Sequence, residues 1–324
     1  MTARVLLTGI TGFIGSHLAE RLVADGHEVH GIAFEPPPHP NLAAISSQVR
    51  IHRADLANAA DLRDAVASAR PDAVVHLAGQ AIPSLAQKDA GATVAVNVTG
   101  TANILAALEP IARAHFVFAS SADVYGVPER APIDENTPLQ PTNVYAESKV
   151  AAETLVRAFG DRGGHPTVIL RPANTNGSRQ HPGLAASGFA KQIAEAETGR
   201  APAVIRHGRL DSKRDFIDVR DIAAAYVAAI GLAPAHTETY NVGSGEAVSI
   251  ERILQILVGL ARVPVTSELD PERVRPGDAT VLALDAAAFR ARTGWSPRIP
   301  LERSLADLLD YWRTTVAHAA VPAR

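Results

Sequence analysis

Tyr145-Ala-Glu-Ser-Lys149 is the stretch of this 324-residue chain best equipped for proton chemistry. Positions i and i+4 share a helix face, so a phenol and an ammonium would stand side by side. A phenol titrating near ~10 exchanges protons poorly at neutral pH, and a cation a few ångströms away lowers that value by favouring the phenolate. Ser121 follows the apolar segment Phe116-Val-Phe118. If that segment is a strand, its end brings the serine hydroxyl to the sheet edge where Tyr145 lies, and there it can hold a substrate oxygen during proton exchange. A surface Tyr–Lys pair is the ordinary alternative for an isolated match. The start of the chain weighs against it. Val5, Leu6 and Leu7 are followed by Gly9, Gly12 and Gly15, and then by an apolar-periodic segment over Ser16–Asp25. Strand, glycine turn and helix in that order make a dinucleotide phosphate site. Glycines permit the tight turn and the close approach of backbone to pyrophosphate, and the helix N-terminus offers free N–H groups to it.

The elements that must position these groups alternate. Strands are expected at Val5–Leu7, Glu28–Ala33, Val49–Arg53, Ala73–Leu77, Phe116–Phe118 and Val168–Leu170, with helices at Ser16–Asp25, Ala60–Ala69, Ala92–Leu108 and Tyr145–Phe159. This alternation predicts an α/β fold: a doubly wound parallel sheet of the Rossmann type, with helices on both faces. Pro36-Pro-Pro-His-Pro40 can be neither helix nor central strand and is read as a loop beside the adenosine end. After Arg171-Pro172 the character changes. Ala173–Arg179 reads as a loop, Ala185–Thr198 as a helix, Ala203–Ile205 as a short strand and Thr239–Val242 as strand-like. Helices follow at Asp221–Ile230, Ile250–Ala261, Asp285–Thr293 and Leu301–Val316. The expected organisation is a cofactor domain over 1–171 plus about 211–243, and a smaller C-terminal α/β substrate lobe over 172–210 plus about 244–324.

Composition narrows the function classes. The formal net charge of −3 gives no reason to expect nucleic acid or an anionic membrane as a partner. There is no cysteine, which excludes disulfides and thiolate metal sites, and the 12 histidines are scattered without ligand spacing, so no metal is expected. No continuous apolar run reaches the ~18 residues of a membrane span. Met1-Thr-Ala-Arg4 leads almost directly into the first strand and leaves no room for a signal peptide, so a cytoplasmic protein is expected.

Thr8-Gly-Ile-Thr-Gly-Phe-Ile-Gly15, Asp55-Leu56, Ser120-Ser-Ala-Asp-Val-Tyr-Gly126 and Tyr145-x-x-x-Lys149 resemble the extended short-chain dehydrogenase/reductase family, the nucleotide-sugar epimerases, dehydratases and reductases. The resemblance spans nearly the whole chain. It implies Ser121, Tyr145 and Lys149 as the catalytic triad and Asn97 as a structural or relay residue. For the cofactor it implies Gly9, Thr11, Gly12, Phe13, Ile14 and Gly15 of the turn, Asp55 and Leu56 flanking the adenine, Leu77 and Ala78 at the fourth strand's end, and Tyr145 with Lys149. Asp123 matches the position of an acidic residue with which the family's dehydratases help remove a sugar-ring proton. Those enzymes often carry a second acid beside it, where this chain has Ala122; a loop carboxylate holding local backbone is the other reading.

The second half narrows the resemblance. Arg171-Pro-Ala-Asn-Thr-Asn-Gly177, Phe189-Ala-Lys-Gln-Ile193, Arg214-Asp-Phe-Ile-Asp-Val-Arg-Asp221, Arg273-Val-Arg-Pro276 and Gly294-Trp-Ser-Pro-Arg-Ile-Pro300 resemble the GDP-6-deoxy-4-keto-mannose reductases, and in part the GDP-mannose dehydratases. A nucleotide diphosphate needs cations and donors. Arg214 and Arg275 are candidates for its phosphates, since the guanidinium fork matches phosphate oxygens. Asn174 can donate to a phosphate or sugar oxygen, Lys191 can serve base or phosphate, and Asp278 can accept from a ribose hydroxyl. The implied reaction is reduction of a nucleotide-linked, GDP-type 4-keto-6-deoxy sugar at C4, with a 4,6-dehydratase or a C4-epimerase as alternatives. The resemblance also implies a homodimer formed through the helices at Ala92–Leu108 and Tyr145–Phe159.

The cofactor choice turns on the end of the second strand, where an acid would hold the 2′-hydroxyl of NAD and an arginine would favour the 2′-phosphate of NADP. Ala33 and Phe34 are neither. Without the acid a 2′-phosphate meets no repulsion, and Arg53 at the end of the third strand is the nearest cation, so the balance favours NADP(H) over NAD(H) or dual use.

Overall fold

The structure is a computed structural model, and it describes residues 2–274 and 281–318. The chain begins β1 (Arg4–Thr8), α1 (Phe13–Ala24), β2 (Glu28–Ala33), β3 (Val49–Arg53), α2 (Ala59–Ala69) and β4 (Ala73–His76). Next come α3 (Pro83–Lys88), α4 (Ala90–Val94), a π-helical turn over Ala95–Thr99, α5 (Gly100–Leu108), β5 (His115–Ala119), a 3₁₀ turn over Ala122–Tyr125, α6 (Val144–Asp161) and β6 (Thr167–Pro172). The second half comprises β7 (Asn174–Asn176), α7 (Ala185–Glu197), β8 (Val204–His207), β9 (Lys213–Asp218), α8 (Val219–Ile230), β10 (Glu238–Val242), β11 (Ala247–Ser249) and α9 (Ile250–Gly259). It ends with β12 (Thr266–Leu269), β13 (Val281–Leu282), α10 (Ala287–Thr293) and α11 (Leu301–His318).

Seven strands form one parallel sheet in the order β10-β6-β5-β4-β1-β2-β3. The middles of its central strands, Val5–Leu7, Ala73–Val75 and Phe116–Phe118, are apolar and buried, as a sheet covered on both faces requires. One face packs Leu18 and Leu22 of α1 and Ala225 and Tyr226 of α8. The other packs Leu62 and Val66 of α2, Ile104 and Leu108 of α5, and Val156 and Phe159 of α6. The chain winds outward from β1 to β3, then returns to β4 beside β1 and winds the other way. The crevice where the order reverses, between the C-terminal ends of β1 and β4, is where ligands of such sheets bind. This is the expected Rossmann architecture.

The smaller lobe has its own core. Phe189 and Ile193 of α7, Leu254 and Leu257 of α9, and Leu305, Leu309 and Trp312 of α11 pack together. Its sheets are β11-β9-β13 with β7 added on β9, and the pair β12-β8. Three local expectations are corrected here. Ala173–Arg179 is not all loop: Asn174–Asn176 pairs in parallel with Phe216–Asp218 of β9. A three-residue polar strand carries no periodicity, so only its partner reveals it. The helix expected at Ala92–Leu108 starts at Ala90, capped by the Asp89 carboxylate, and is interrupted by the π turn. The last short helix begins at Ala287 rather than Asp285, whose carboxylate instead accepts from the Ala287 N–H.

Ala90–Leu108 is uncharged, and by length and composition alone it could cross a membrane. In the fold it packs against α2 and α6 as a layer of the cofactor domain. A chain of buried hydrogen bonds ties the π turn to the ends of β1 and β4. Thr8 Oγ accepts the N–H groups of Leu77 and Ala78, so its proton goes to His76 Nδ1 at 2.7 Å. His76 Nε2 is then the protonated nitrogen. It donates to Thr101 Oγ at 3.0 Å, and Thr101 donates onward to the Asn97 carbonyl at 2.6 Å. The chain of bonds thus ends on a carbonyl inside the π turn.

His76 is wholly buried and neutral, its pKa pushed down from 6.5 to about 3 by burial and by the nearby Lys149 charge. The folded state therefore resists a proton that the unfolded chain accepts. Stability is full above pH 6.5 and is lost as pH falls below it, at up to roughly 1.4 kcal/mol per pH unit. Urea unfolding at pH 7 and pH 5 should show this slope, and His76→Gln, whose amide can still bridge Thr8 and Thr101, should flatten it.

Candidate active site

The glycine turn is built by contact. A Cβ on Gly15 would lie 2.1 Å from the Gly9 carbonyl oxygen, and one on Gly9 would lie 2.9 Å from the Ala78 backbone. Gly9 also has φ +69, in the left-handed region. These contacts press α1 against the turn and the turn against the end of β4. Gly12 caps α1 without a side chain, and the first turn holds no acid, so its leading N–H groups remain open to an anion. Asn41 Nδ2 donates to the Thr11 carbonyl at 2.9 Å and ties the segment after β2 back onto the turn. Leu56 lies against Gly100, and its carbonyl is held by Asn103 at 2.8 Å. Asp55 accepts the Ala57 N–H at 2.9 Å, which fixes the turn at the end of β3. The sequence-identified cofactor residues Gly9–Gly15, Asp55, Leu56, Leu77 and Ala78 thus line one edge of the sheet, and the cradle fits a dinucleotide.

The proton-transfer group sits at the same edge. Asn143 caps α6 through the Ala146 N–H, which starts the helix at Val144, one residue before Tyr145. Tyr145 and Lys149 then share its buried face. Lys149 Nζ donates to the Ala119 carbonyl at the end of β5, 2.7 Å away, and lies 5.1 Å from the Phe118 ring centre and 6.0 Å from that of Tyr145. Ser121 caps the 3₁₀ turn by accepting the Asp123 N–H at 3.1 Å, and its hydroxyl is hydrogen-bonded to Tyr145. Burial pushes the Tyr145 phenol well above its ordinary value. The charge of Asp123 adds to the shift, and the Ser121 hydrogen bond opposes it. The expectation that a nearby cation lowers the phenol is therefore not met by this chain alone: burial dominates, and the phenol stays protonated, as a proton donor must. Burial also lowers Lys149 to about 8, against the charge of Glu153, which raises it.

Asn97 is structural in this geometry. Its amide donates to the Ser148 hydroxyl at 2.8 Å and to the Gln80 carbonyl at 3.1 Å, and its oxygen accepts the Gln80 N–H at 2.7 Å. Ser148 in turn donates to the Tyr145 carbonyl at 2.7 Å, so Asn97 holds the helix turn that bears the phenol.

Of the substrate candidates, Asn174 stands exposed at the start of β7, one residue beyond the end of β6. Arg214 lies on β9, in register with Val248 of β11 and Leu282 of β13. Asn174 pairs with Phe216, two residues along β9 from Arg214, so the two come to one strand pair. Asp215 beside Arg214 faces the other way and accepts from the N–H groups of Ser244, Gly245 and Leu284, which holds the small sheet to the 243–245 turn. Lys191 is engaged elsewhere: its Nζ pairs with Glu195 at 3.4 Å and lies 5.9 Å from the Trp312 ring centre, on the seam of α7 and α11. Arg275 and Asp278 lie outside the described residues. Sequence reading missed Glu153 and Arg171, a buried ion pair at 2.6 Å one helical turn beyond Lys149. The i+4 spacing from Lys149 to Glu153 was its one signal.

Gly15→Ala should drive α1 off the turn. We expect at least a tenfold loss of NADPH affinity in a fluorescence titration and a lower melting temperature, while an exposed Ala→Ser control on α2 changes neither.

Comparison with known proteins agrees with this geometry. The profile of the GDP-mannose 4,6 dehydratase family matches residues 6–308. The GDP-6-deoxy-D-mannose reductase of Pseudomonas aeruginosa is 35% identical over 98% of this chain and 99% of its own. The solved structure of RMD from Pseudomonas aeruginosa complexed with NADPH superposes with a TM-score of 0.84 at 33% identity, covering 97% of this chain and 100% of that one. The Thermus thermophilus UDP-glucose 4-epimerase complex with NAD does so with a TM-score of 0.85 at 29% identity, over 98% and 100%. A glycine cradle, a buried Tyr–Lys pair and full-length similarity of this kind have one meaning: the chain belongs to the GDP-mannose 4,6 dehydratase family, NAD(P)-dependent nucleotide-sugar enzymes of the extended short-chain dehydrogenase/reductase type.

Proposed function

We propose that the protein reduces a GDP-linked 4-keto-6-deoxy sugar at C4, with Tyr145 as the proton donor. The observation that carries this reading is the buried Tyr145 sharing one face of α6 with Lys149, whose ammonium is anchored on the end of β5 just before Ser121, at the sheet edge that bears the glycine turn. When bound, NAD(P)H supplies the hydride to the carbonyl carbon. Tyr145 gives its proton to the carbonyl oxygen, Ser121 orients that oxygen, and Lys149 supplies positive charge beside the phenol as negative charge develops on it. Asn174 and Arg214 hold the nucleotide diphosphate. The similarity to a GDP-6-deoxy-D-mannose reductase over the full chain supports the GDP-linked substrate. Asp123 beside Ala122 lacks the second acid expected of a dehydratase, and its charge adds to the burial that raises the Tyr145 phenol.

The same reading divides the chain into a cofactor domain, 1–171 plus 219–243, and a substrate lobe from the remainder. The return begins at α8, since β9 lies in the small sheet. It includes a homodimer through the helical stretch Ala92–Leu108 and α6, a cytoplasmic location and a preference for NADP(H). Arg53 supports that preference. It is the residue of β3 in register with Ala33 at the end of β2, is exposed, and makes no ion pair among the described residues.

Purified protein given GDP-4-keto-6-deoxymannose with NADPH or NADH should oxidise the cofactor stoichiometrically. Absence of turnover by folded protein would sink the substrate reading, and unaided conversion of GDP-mannose with no net cofactor oxidation would make the enzyme a dehydratase. Tyr145→Phe should lower kcat by about 10²–10⁴-fold with NADPH affinity unchanged. The pH–rate profile should show no loss from Tyr145 in the neutral range and a fall above about pH 8 as Lys149 loses its charge. Arg53→Ala should weaken NADPH binding about tenfold and leave NADH binding untouched; equal loss for both would remove Arg53 from the 2′-phosphate.

A further inference from the structure

A buried polar network lies directly behind the proton-transfer group. Glu153 Oε1 accepts the Ser120 hydroxyl at 2.6 Å and Arg171 Nε at 2.8 Å. Its Oε2 accepts the terminal Arg171 nitrogen at 2.6 Å and, more weakly, Arg157 at 3.4 Å. Arg171 donates its remaining terminal nitrogen to the Tyr125 hydroxyl at 2.9 Å; that hydroxyl donates to Asn241 Oδ1 at 2.7 Å, and Asn241 Nδ2 donates to the Ile133 carbonyl at 2.9 Å. Glu153, Arg171 and Tyr125 are each at most 2% exposed.

The members are placed where the chemistry needs fixed points. Ser120 precedes Ser121, Tyr125 ends the turn that carries Asp123, and Arg171 sits at the end of β6, just before the connection to Asn174. Glu153 is one turn of α6 beyond Lys149. A buried ion pair of this kind is weak evidence for stability, because desolvation offsets the attraction, and it asks for another explanation.

We propose that Glu153 is a positioning residue for proton transfer: through Ser120 and Arg171 its carboxylate registers the end of β5 against α6, and from one helical turn away it sustains the charge of Lys149. It touches neither sugar nor cofactor. The inference rests on the reading of Tyr145 and Lys149 as the proton-transfer pair.

The other ionisable groups around Lys149 do not supply this. On α6, Tyr145 is protonated and Arg157 is a cation. On β4, His76 is neutral, and on β6, Arg171 is a cation. On the turn after β5, Asp123 acts on Tyr145 and Tyr125 is protonated. The helices packed on the far side offer only Lys88 and Asp89, both exposed, since the π turn and α5 carry no ionisable residue. Among the described residues Glu153 is the carboxylate acting on Lys149, and it raises the ammonium against the burial that lowers it.

Glu153→Gln alone would strand the Arg171 charge, so the informative variant is the pair Glu153→Gln with Arg171→Met, which removes both charges. NADPH or NADH affinity is titrated from pH 6 to 10 by fluorescence, with melting measured in parallel; no sugar is required, so this arm reads the positioning role even if the substrate reading fails. The folded pair variant should lose affinity on the alkaline side about one pH unit earlier than the parent, and the alkaline limb of kcat should move with it. Superimposable profiles at equal melting temperature would overturn the proposal. Ser120→Ala strands no charge and keeps the ion pair; it should lower kcat about tenfold with sugar KM unchanged, and an unchanged kcat would likewise count against it.

Discussion

One directional chain of hydrogen bonds, from the Leu77 and Ala78 amides through Thr8, His76 and Thr101 to the Asn97 carbonyl, decides where the two halves of the site meet. It begins just past the end of β4 and passes at once through Thr8, the last residue of the strand that leads into the glycine turn. It ends in the π turn whose Asn97 side chain grips Ser148, and through it the backbone of Tyr145. The chain works only with His76 neutral and protonated on Nε2, a state that its burial enforces. A proton on both nitrogens would set N–H against the Thr8 hydroxyl, which has no lone pair left to accept it. The cofactor turn and the proton donor are thus placed by the same buried imidazole.

The parts of this arrangement legible in the sequence were those with a local signature. The glycine turn announces itself because three glycines at spacing three between a strand and a helix have a steric reason, here the 2.1 Å approach of a Gly15 Cβ to Gly9. Tyr145 and Lys149 announce themselves by helical spacing. His76, Glu153 and Arg171 do not, because a buried charge or imidazole has meaning only once strand neighbours are known, and β4, β5 and β6 are adjacent by topology rather than by sequence. The short strands β7, β11 and β13 escaped for a related reason: two or three residues carry no period, and their pairing with β9 makes them strands. Lys191 illustrates the converse. A cation inside a matching motif is a candidate for base or phosphate, and only the fold shows that its ammonium lies beside Glu195 and the Trp312 ring.

Electrostatically the site is poised by burial more than by neighbours. The phenol rises and the ammonium falls, both in the direction that disfavours the charged form. Proton donation from such a phenol is uphill until positive charge stands beside it, which in this chain is the ammonium of Lys149, 6.0 Å from the ring centre.

The passage from β6 to β7 has a mechanical corollary. The large sheet ends at Pro172 and the small one begins at Asn174, with Ala173 alone between them. Proline fixes one of the few torsions available there, and Asn174–Asn176 is locked against β9. A hinge needs residues that can absorb rotation, and this crossing has almost none. The strand that begins at Asn174 is therefore indexed to the end of β6, so the small sheet inherits its orientation from the large one through a single residue.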